Sequence, residues 1–131
     1  MFIPLRIQTC FSMLESTIEV KALAKEAAKR GFPAIGLADR GNLFAAMAFS
    51  RACMDEGVQP IIGTLLPIVR DMPPGTLRPG AKPPVDHLVL YAQNETGWQN
   101  LLQLVSATHL EGEAGLERLD GRTAGLLALT G

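Results

Sequence analysis

The chain has 131 residues, with 12 Lys+Arg against 13 Asp+Glu and a formal net charge of -1. One ordinary domain fits that length and can bury about two-thirds of its unfolded surface, while 47% hydrophobic and 19% charged residues exclude a disordered chain. The near-zero charge, net +2 through Arg70 and net -3 beyond it, excludes nucleic-acid binding by field alone and any polybasic arm.

Leu5 to Gln8 is a short apolar run bounded by Pro4 and reads as a first strand. Ser16 and Thr17 supply hydroxyls able to cap a following helix, in which Ile18, Val20, Leu23, Ala24, Ala27 and Ala28 share one face. Gly31 after Lys29 and Arg30, with Pro33 beyond, marks its end. Ala34 to Ala38 is continuously small and apolar, the pattern of a strand buried on both faces. Asn42 caps a second predicted helix from Leu43 to about Glu56, which Gly57 closes ahead of a third strand, Gln59 to Leu66. Strand and helix alternating through short connections imply parallel strands with right-handed crossovers.

Residues 71–86 hold five prolines and two glycines and read as a surface loop or hairpin excursion within the domain. His87 to Gln93 is the next strand. Thr96 to Thr108 is a helix with Trp98, Leu101, Leu102, Leu104 and Val105 buried, and Leu126 to Thr130 is a fifth strand. A chain that stops on an apolar central strand reads as truncated.

No apolar stretch reaches the ~18 residues of a spanning helix, and Met1 to Leu5 lacks a signal peptide's basic and apolar regions. Cys10 and Cys53 read as reduced, buried thiols of a cytoplasmic protein. Lys21, Lys25 and Lys29 recur every four residues as a basic stripe, more simply a solvated helix face than a phosphate contact. His87 and His109 read as strand-edge and helix-end residues without metal roles.

In parallel α/β folds the chemistry sits beyond the carboxyl ends of strands. There this chain offers Gln8, Thr9, Cys10, Ser12 and Glu15, then Asp39, Arg40, Gly41 and Asn42, then Leu65. One glutamate and one aspartate beside Arg6 and Arg40 form a self-neutralised set rather than a ligand cage.

Three blocks, Leu5 to Glu15, Ala34-Ile35-Gly36-Leu37-Ala38-Asp39-Arg40-Gly41-Asn42-Leu43 and Gly57 to Leu65, resemble the amino-terminal PHP (polymerase and histidinol phosphatase) domain of bacterial DNA polymerase III alpha subunits. His87 to Asn94 and Gly97 to Leu102 match the same group, so the resemblance covers nearly the whole chain. It implies a PHP-type distorted α/β barrel, here incomplete, with about five mostly parallel strands and crossover helices. In metal-binding members the strand ends carry a trinuclear site for phosphoester hydrolysis.

The ligand positions depart from that pattern. The family's His-x-His pair falls on Arg6 and Gln8, its acidic position on Glu15, a further histidine on Arg40 and a glutamate on Leu65. Only Glu15 retains a ligand side chain. Guanidinium has no acceptor and a fixed positive charge, so it repels a divalent ion as well as failing to bind it. The expectation is a vestigial site with no metal and no catalytic residue. Arg40 or Arg6 is expected to pair with Glu15 or Asp39 in place of the lost cation. The alternatives are arginines turned into water, or Arg6 and Arg40 cupping an anion. Asp39 also reads as an ordinary turn residue.

The resemblance further implies that a full-length subunit extends DNA from deoxynucleoside triphosphates, with Mg²⁺ at a palm-domain site beyond these residues. The present piece then serves as a structural and partner-docking element, its partners being the rest of the subunit and the proofreading exonuclease subunit, with DNA reached through the whole protein. Competing readings are a working metal-dependent phosphoesterase or proofreading nuclease, a flavodoxin-like binding module, and the error-prone paralogue of the subunit. The Gly41-Asn42-Leu43 and Leu14-Glu15-Ser16 segments favour the replicative subunit.

Overall fold

Apolar runs at Ala34 and Gln59 give the two longest-buried strands, and the helix between them packs on one side only. In the computed structural model, which describes residues 1–129, the order is α1 (Val20–Lys29), β1 (Ala34–Arg40), α2 (Ala46–Asp55), β2 (Gln59–Val69), β3 (Val85–Ala92), α3 (Glu95–Glu111), a 3₁₀ turn (Leu116–Leu119) and β4 (Leu126–Leu129). Thr130, expected in the last strand, lies outside the described residues.

The sheet runs β1-β2-β3-β4. β1 and β2 are parallel, as the helical crossover through α2 requires, with Arg40 opposite Leu65. The expectation of mostly parallel strands fails beyond that pair, because β2–β3 and β3–β4 are antiparallel. A parallel return needs a crossover of about a dozen residues, usually a helix. The Pro-rich segment supplies none, and it brings the chain straight back as a hairpin closed by Arg70 N–H to the Pro84 carbonyl and by an Arg70–Asp86 ion pair at 2.5 Å. After α3 the chain passes through the 3₁₀ turn before β4 begins. The Gly125 carbonyl accepts from Gln93 N–H at the end of β3, so β4 runs the opposite way.

The first predicted strand is reduced to one bridge, Ile7 to Leu37, beside β1. Ile7 N–H donates to Gly36 O and Ala38 N–H to Ile7 O, but the Leu5 carbonyl is taken by the Tyr91 hydroxyl at 2.5 Å and leaves the ladder. Gly36 permits the approach, since a Cβ there would overlap the Leu5 carbonyl.

Helix starts differ from those expected. Ser16 does not cap α1; Glu19 precedes the helix without a side-chain cap, while Ser16 Oγ donates to Gln8 O. Asn42 accepts from Phe44 N–H in a turn of its own, delaying α2 to Ala46. For α3, Asn94 accepts from Gly97 N–H, a helix start one residue ahead of the expected one.

Helices cover one face of the sheet. α1 and α2 bury Val20, Ala24, Ala27, Phe49 and Cys53 against Ile35 and Leu37, and α3 buries Leu101, Leu104 and Val105 against Leu66, Ile68 and Leu90. The other face carries Ala38, Leu65, Val89 and Tyr91, with Leu5, Ile61 and Leu129 packed on them, and no helix among the described residues joins that cluster. The sheet is open, an α/β barrel left incomplete, and the bare face is the one a closed barrel would turn inward. Cys53 is buried as expected, which pushes its thiol up to about 11, whereas Cys10, also expected to be buried, is exposed in the turn that follows the Ile7 bridge.

Candidate vestigial metal site

Strand alternation separates Asp39 from Arg40, which are neighbours in the sequence. Leu37 faces the helices and Ala38 the bare face, so Asp39 turns to the helix side and Arg40 back to the bare side. Asp39 is fully buried. Its Oδ1 accepts from Thr9 N–H at 2.6 Å and from Ser12 Oγ at 2.8 Å, and its Oδ2 accepts from Thr9 Oγ1 at 2.7 Å. Ser12 Oγ in turn accepts from Arg40 N–H at 3.0 Å. Neutral donors satisfy this buried carboxyl group, and among the described residues no arginine pairs with it.

Glu15 makes the arginine contact instead. Its Oε1 lies 2.7 Å from Arg40 Nη2, and its Oε2 accepts from Gln8 Nε2 at 3.1 Å. Three of the expected ligand positions thus converge on one another: the carboxylate holds the guanidinium and the amide. Their side chains remain partly in water, 51% exposed for Arg40 and 29% for Glu15, so the pair contributes little stability. Leu65 is buried beside Arg40 in the strand register. Arg6 is exposed and forms no ion pair among the described residues.

The turn carrying these groups is anchored from several elements. Thr64 Oγ1 on β2 donates to Asp39 O at 2.7 Å and to Asn42 O at 3.1 Å. Asn42 Nδ2 donates to Phe11 O and Arg40 O, and His109 Nε2 at the end of α3 lies 2.8 Å from Gly41 O. Thr9, Ser12, Thr64 and His109 were not singled out as anchors by sequence reasoning. Their partners lie 22 to 68 positions away, a distance at which spacing carries no signal.

His87 shares the bare face with Arg40, being opposite Pro67 in a register that puts Leu65 opposite Val89. Burial pushes its pKa below the ordinary histidine value and the Arg40 charge pushes the same way, against Glu15, so the imidazole is neutral at pH 7.

A trinuclear metal centre needs many converging donors, and this arrangement does not fit one. Among the described residues no group of three or more His, Cys, Asp or Glu converges. The retained carboxylate already neutralises a guanidinium that a divalent ion would have to displace. The arrangement can hold a loop or attract an anion through Arg6. A larger cleft of about 760 Å³ lies between the Pro-rich hairpin and the 3₁₀ turn, reaching the bare face at His87 and Leu129. No helix among the described residues is long and apolar enough to cross a membrane.

Residues 4–131 match the PHP domain family. DNA polymerase III subunit alpha of Caulobacter vibrioides is 43% identical over 110 residues, covering 84% of this chain and 9% of that protein. The same subunit of Rickettsia conorii is 37% identical over 107 residues (82% and 8%), and that of Aquifex aeolicus is 32% identical over 139 residues (98% and 12%). The chain therefore spans about a tenth of the length of these relatives. In fold it is similar to a candidate metal-dependent phosphoesterase from Bifidobacterium adolescentis, with a TM-score of 0.57 at 15% identity over 81% of this chain and 32% of that one. A match over almost every residue, together with the α/β architecture, places the chain in the PHP domain family.

Proposed function

We propose that this chain is a segment of a DNA polymerase III alpha subunit, acting there as a catalytically silent scaffold and docking element in the cytoplasm. The observation that carries the silent role is the Arg40 guanidinium seated on Glu15, where a metal-binding relative would place a cation. A tethered positive charge satisfies the carboxylate, holds the Thr9–Glu15 loop against β1 and leaves no open coordination position. The relatives' shared name supports the polymerase context. In that context the whole subunit performs DNA-directed DNA synthesis, with Mg²⁺ at a site outside this chain. This segment braces the rest of the subunit and offers a surface to the proofreading exonuclease subunit.

Metal content and hydrolysis test the silent role together. The chain, equilibrated with Mn²⁺ or Zn²⁺ and freed of excess ion, is expected to retain well under one equivalent by elemental analysis and to leave an aryl phosphate unhydrolysed. Near-stoichiometric metal with Mn²⁺- or Zn²⁺-stimulated hydrolysis establishes the phosphoesterase reading instead.

A further inference from the structure

The outer side of the α1–α2 pair carries a groove of about 570 Å³, away from the Arg40–Glu15 constellation. Its lining includes Phe44 and Met47 at the start of α2, Lys21 and Lys25 on α1, and Arg51 one turn along α2. Phe44 and Met47 are each 68% exposed, although α2 has buried Phe49 and Cys53 on its other side. The Phe44 ring lies 6.3 Å from the Phe11 ring, itself 42% exposed, so the apolar surface extends past the groove. Contiguous exposed apolar side chains rimmed by charge mark an interaction surface.

The charge of the rim selects the occupant. Lys21, Lys25 and Arg51 are exposed, and none has an ion-pair partner among the described residues. Asp55 and Glu56 close the far end of α2. The cations at the apolar end are therefore free to meet carboxylates, and the floor beneath them is suited to a leucine or aromatic side chain. A phosphate backbone would use the cations and leave Phe44 and Met47 idle. Lys29, the third member of the lysine stripe, does not line the groove. We propose that this groove docks an acidic, amphipathic helical segment of a partner protein, its apolar residues on Phe44 and Met47 and its carboxylates over Lys21, Lys25 and Arg51. The proposal goes beyond the silent-scaffold reading and stands on the groove's own chemistry, so it survives or fails independently of the metal test.

The probes are two arrays of synthetic helical peptides about 16 residues long, roughly four turns. Both carry Leu, Phe or Met at i, i+3, i+4 and i+7; one fills the remaining positions with Glu and Asp, the other with Lys and Arg. A 20-nucleotide DNA duplex is the third probe. Members of the acidic array are expected to bind the chain, and members of the basic array to bind at least about tenfold more weakly. Lys21→Glu with Arg51→Glu, and separately Phe44→Ser, should each weaken the acidic peptides by about tenfold. Lys82→Glu in the Pro-rich hairpin, an equal charge change elsewhere, should leave binding unchanged. All four positions are solvent-exposed, so each variant is expected to fold, with circular dichroism as the check. The proposal is overturned if no acidic peptide binds tighter than about 1 mM, if the two arrays bind alike, if Phe44→Ser leaves binding intact, or if only the duplex binds.

Discussion

Asp39 and Glu15 are the two carboxylates near the end of β1, and they live in opposite conditions. Asp39 is sealed beneath the sheet and held by neutral hydroxyl and amide donors; Glu15 sits at the bare face, partly in water, holding a guanidinium. The residue in the interior supports the fold, because every donor aimed at it would lose its partner together. The residue at the surface holds an arginine at little energetic weight. Sequence adjacency to a site is thus a poor guide to membership in it, since one step along a strand changes the face.

The largest effect follows from removing the buried carboxylate. Asp39→Ala leaves Thr9 N–H, Thr9 Oγ1 and Ser12 Oγ unpaired, and should cost about 2–4 kcal/mol in urea unfolding. An unchanged midpoint would mean that the loop simply rearranges. Thr64→Val comes next, at about 1–2 kcal/mol, because it leaves the Asp39 and Asn42 carbonyls without their shared hydroxyl donor. Arg40→Ala should shift stability by no more than about 1 kcal/mol, its pair with Glu15 being screened by solvent. A loss as large as that of Asp39→Ala would erase the contrast between the two carboxylates.

The smallest effect is a slope with pH. His87, faced by Arg40, Glu15, Glu113 and Arg6, has its folded pKa held below the unfolded value by burial and by Arg40. The unfolded chain therefore binds a proton first as pH falls below the ordinary histidine range, and folding stability declines with it. Across that window, unfolding free energy should rise with pH in the native chain and rise less steeply in His87→Gln. Equal slopes would place the histidine's influence elsewhere.

Elements governed by local pattern were legible in the sequence. The apolar run at Ala34, the Gly31 stop and the Leu101–Val105 stripe appear where their periods put them. Strand direction after β2 was less so: proline and glycine signal a turn, but an excursion could have led back either way, and only the hairpin pairing decides. The reduced first strand was hidden because Tyr91, 86 positions on, captures the Leu5 carbonyl. At the site, the ligand-position residues were readable one by one, and the expected arginine–carboxylate contact had four possible pairings. Which pairing forms depends on strand parity, which needs the observed ladder. Asp39's partners were beyond reach, since a buried hydroxyl and a solvated one look alike in a sequence.

The Tyr91–Leu5 contact also orders events in time. A ribosome adds roughly 5–20 residues per second, so Leu5 is made about ten seconds before the side chain that fastens its carbonyl. During that interval the leading segment can rest against β1 through Ile7 and the Pro4 carbonyl, with the Leu5 oxygen still hydrated. The first residues synthesised are therefore among the last to be secured, and a phenylalanine at position 91 would leave that closing step undone while the sheet itself assembled.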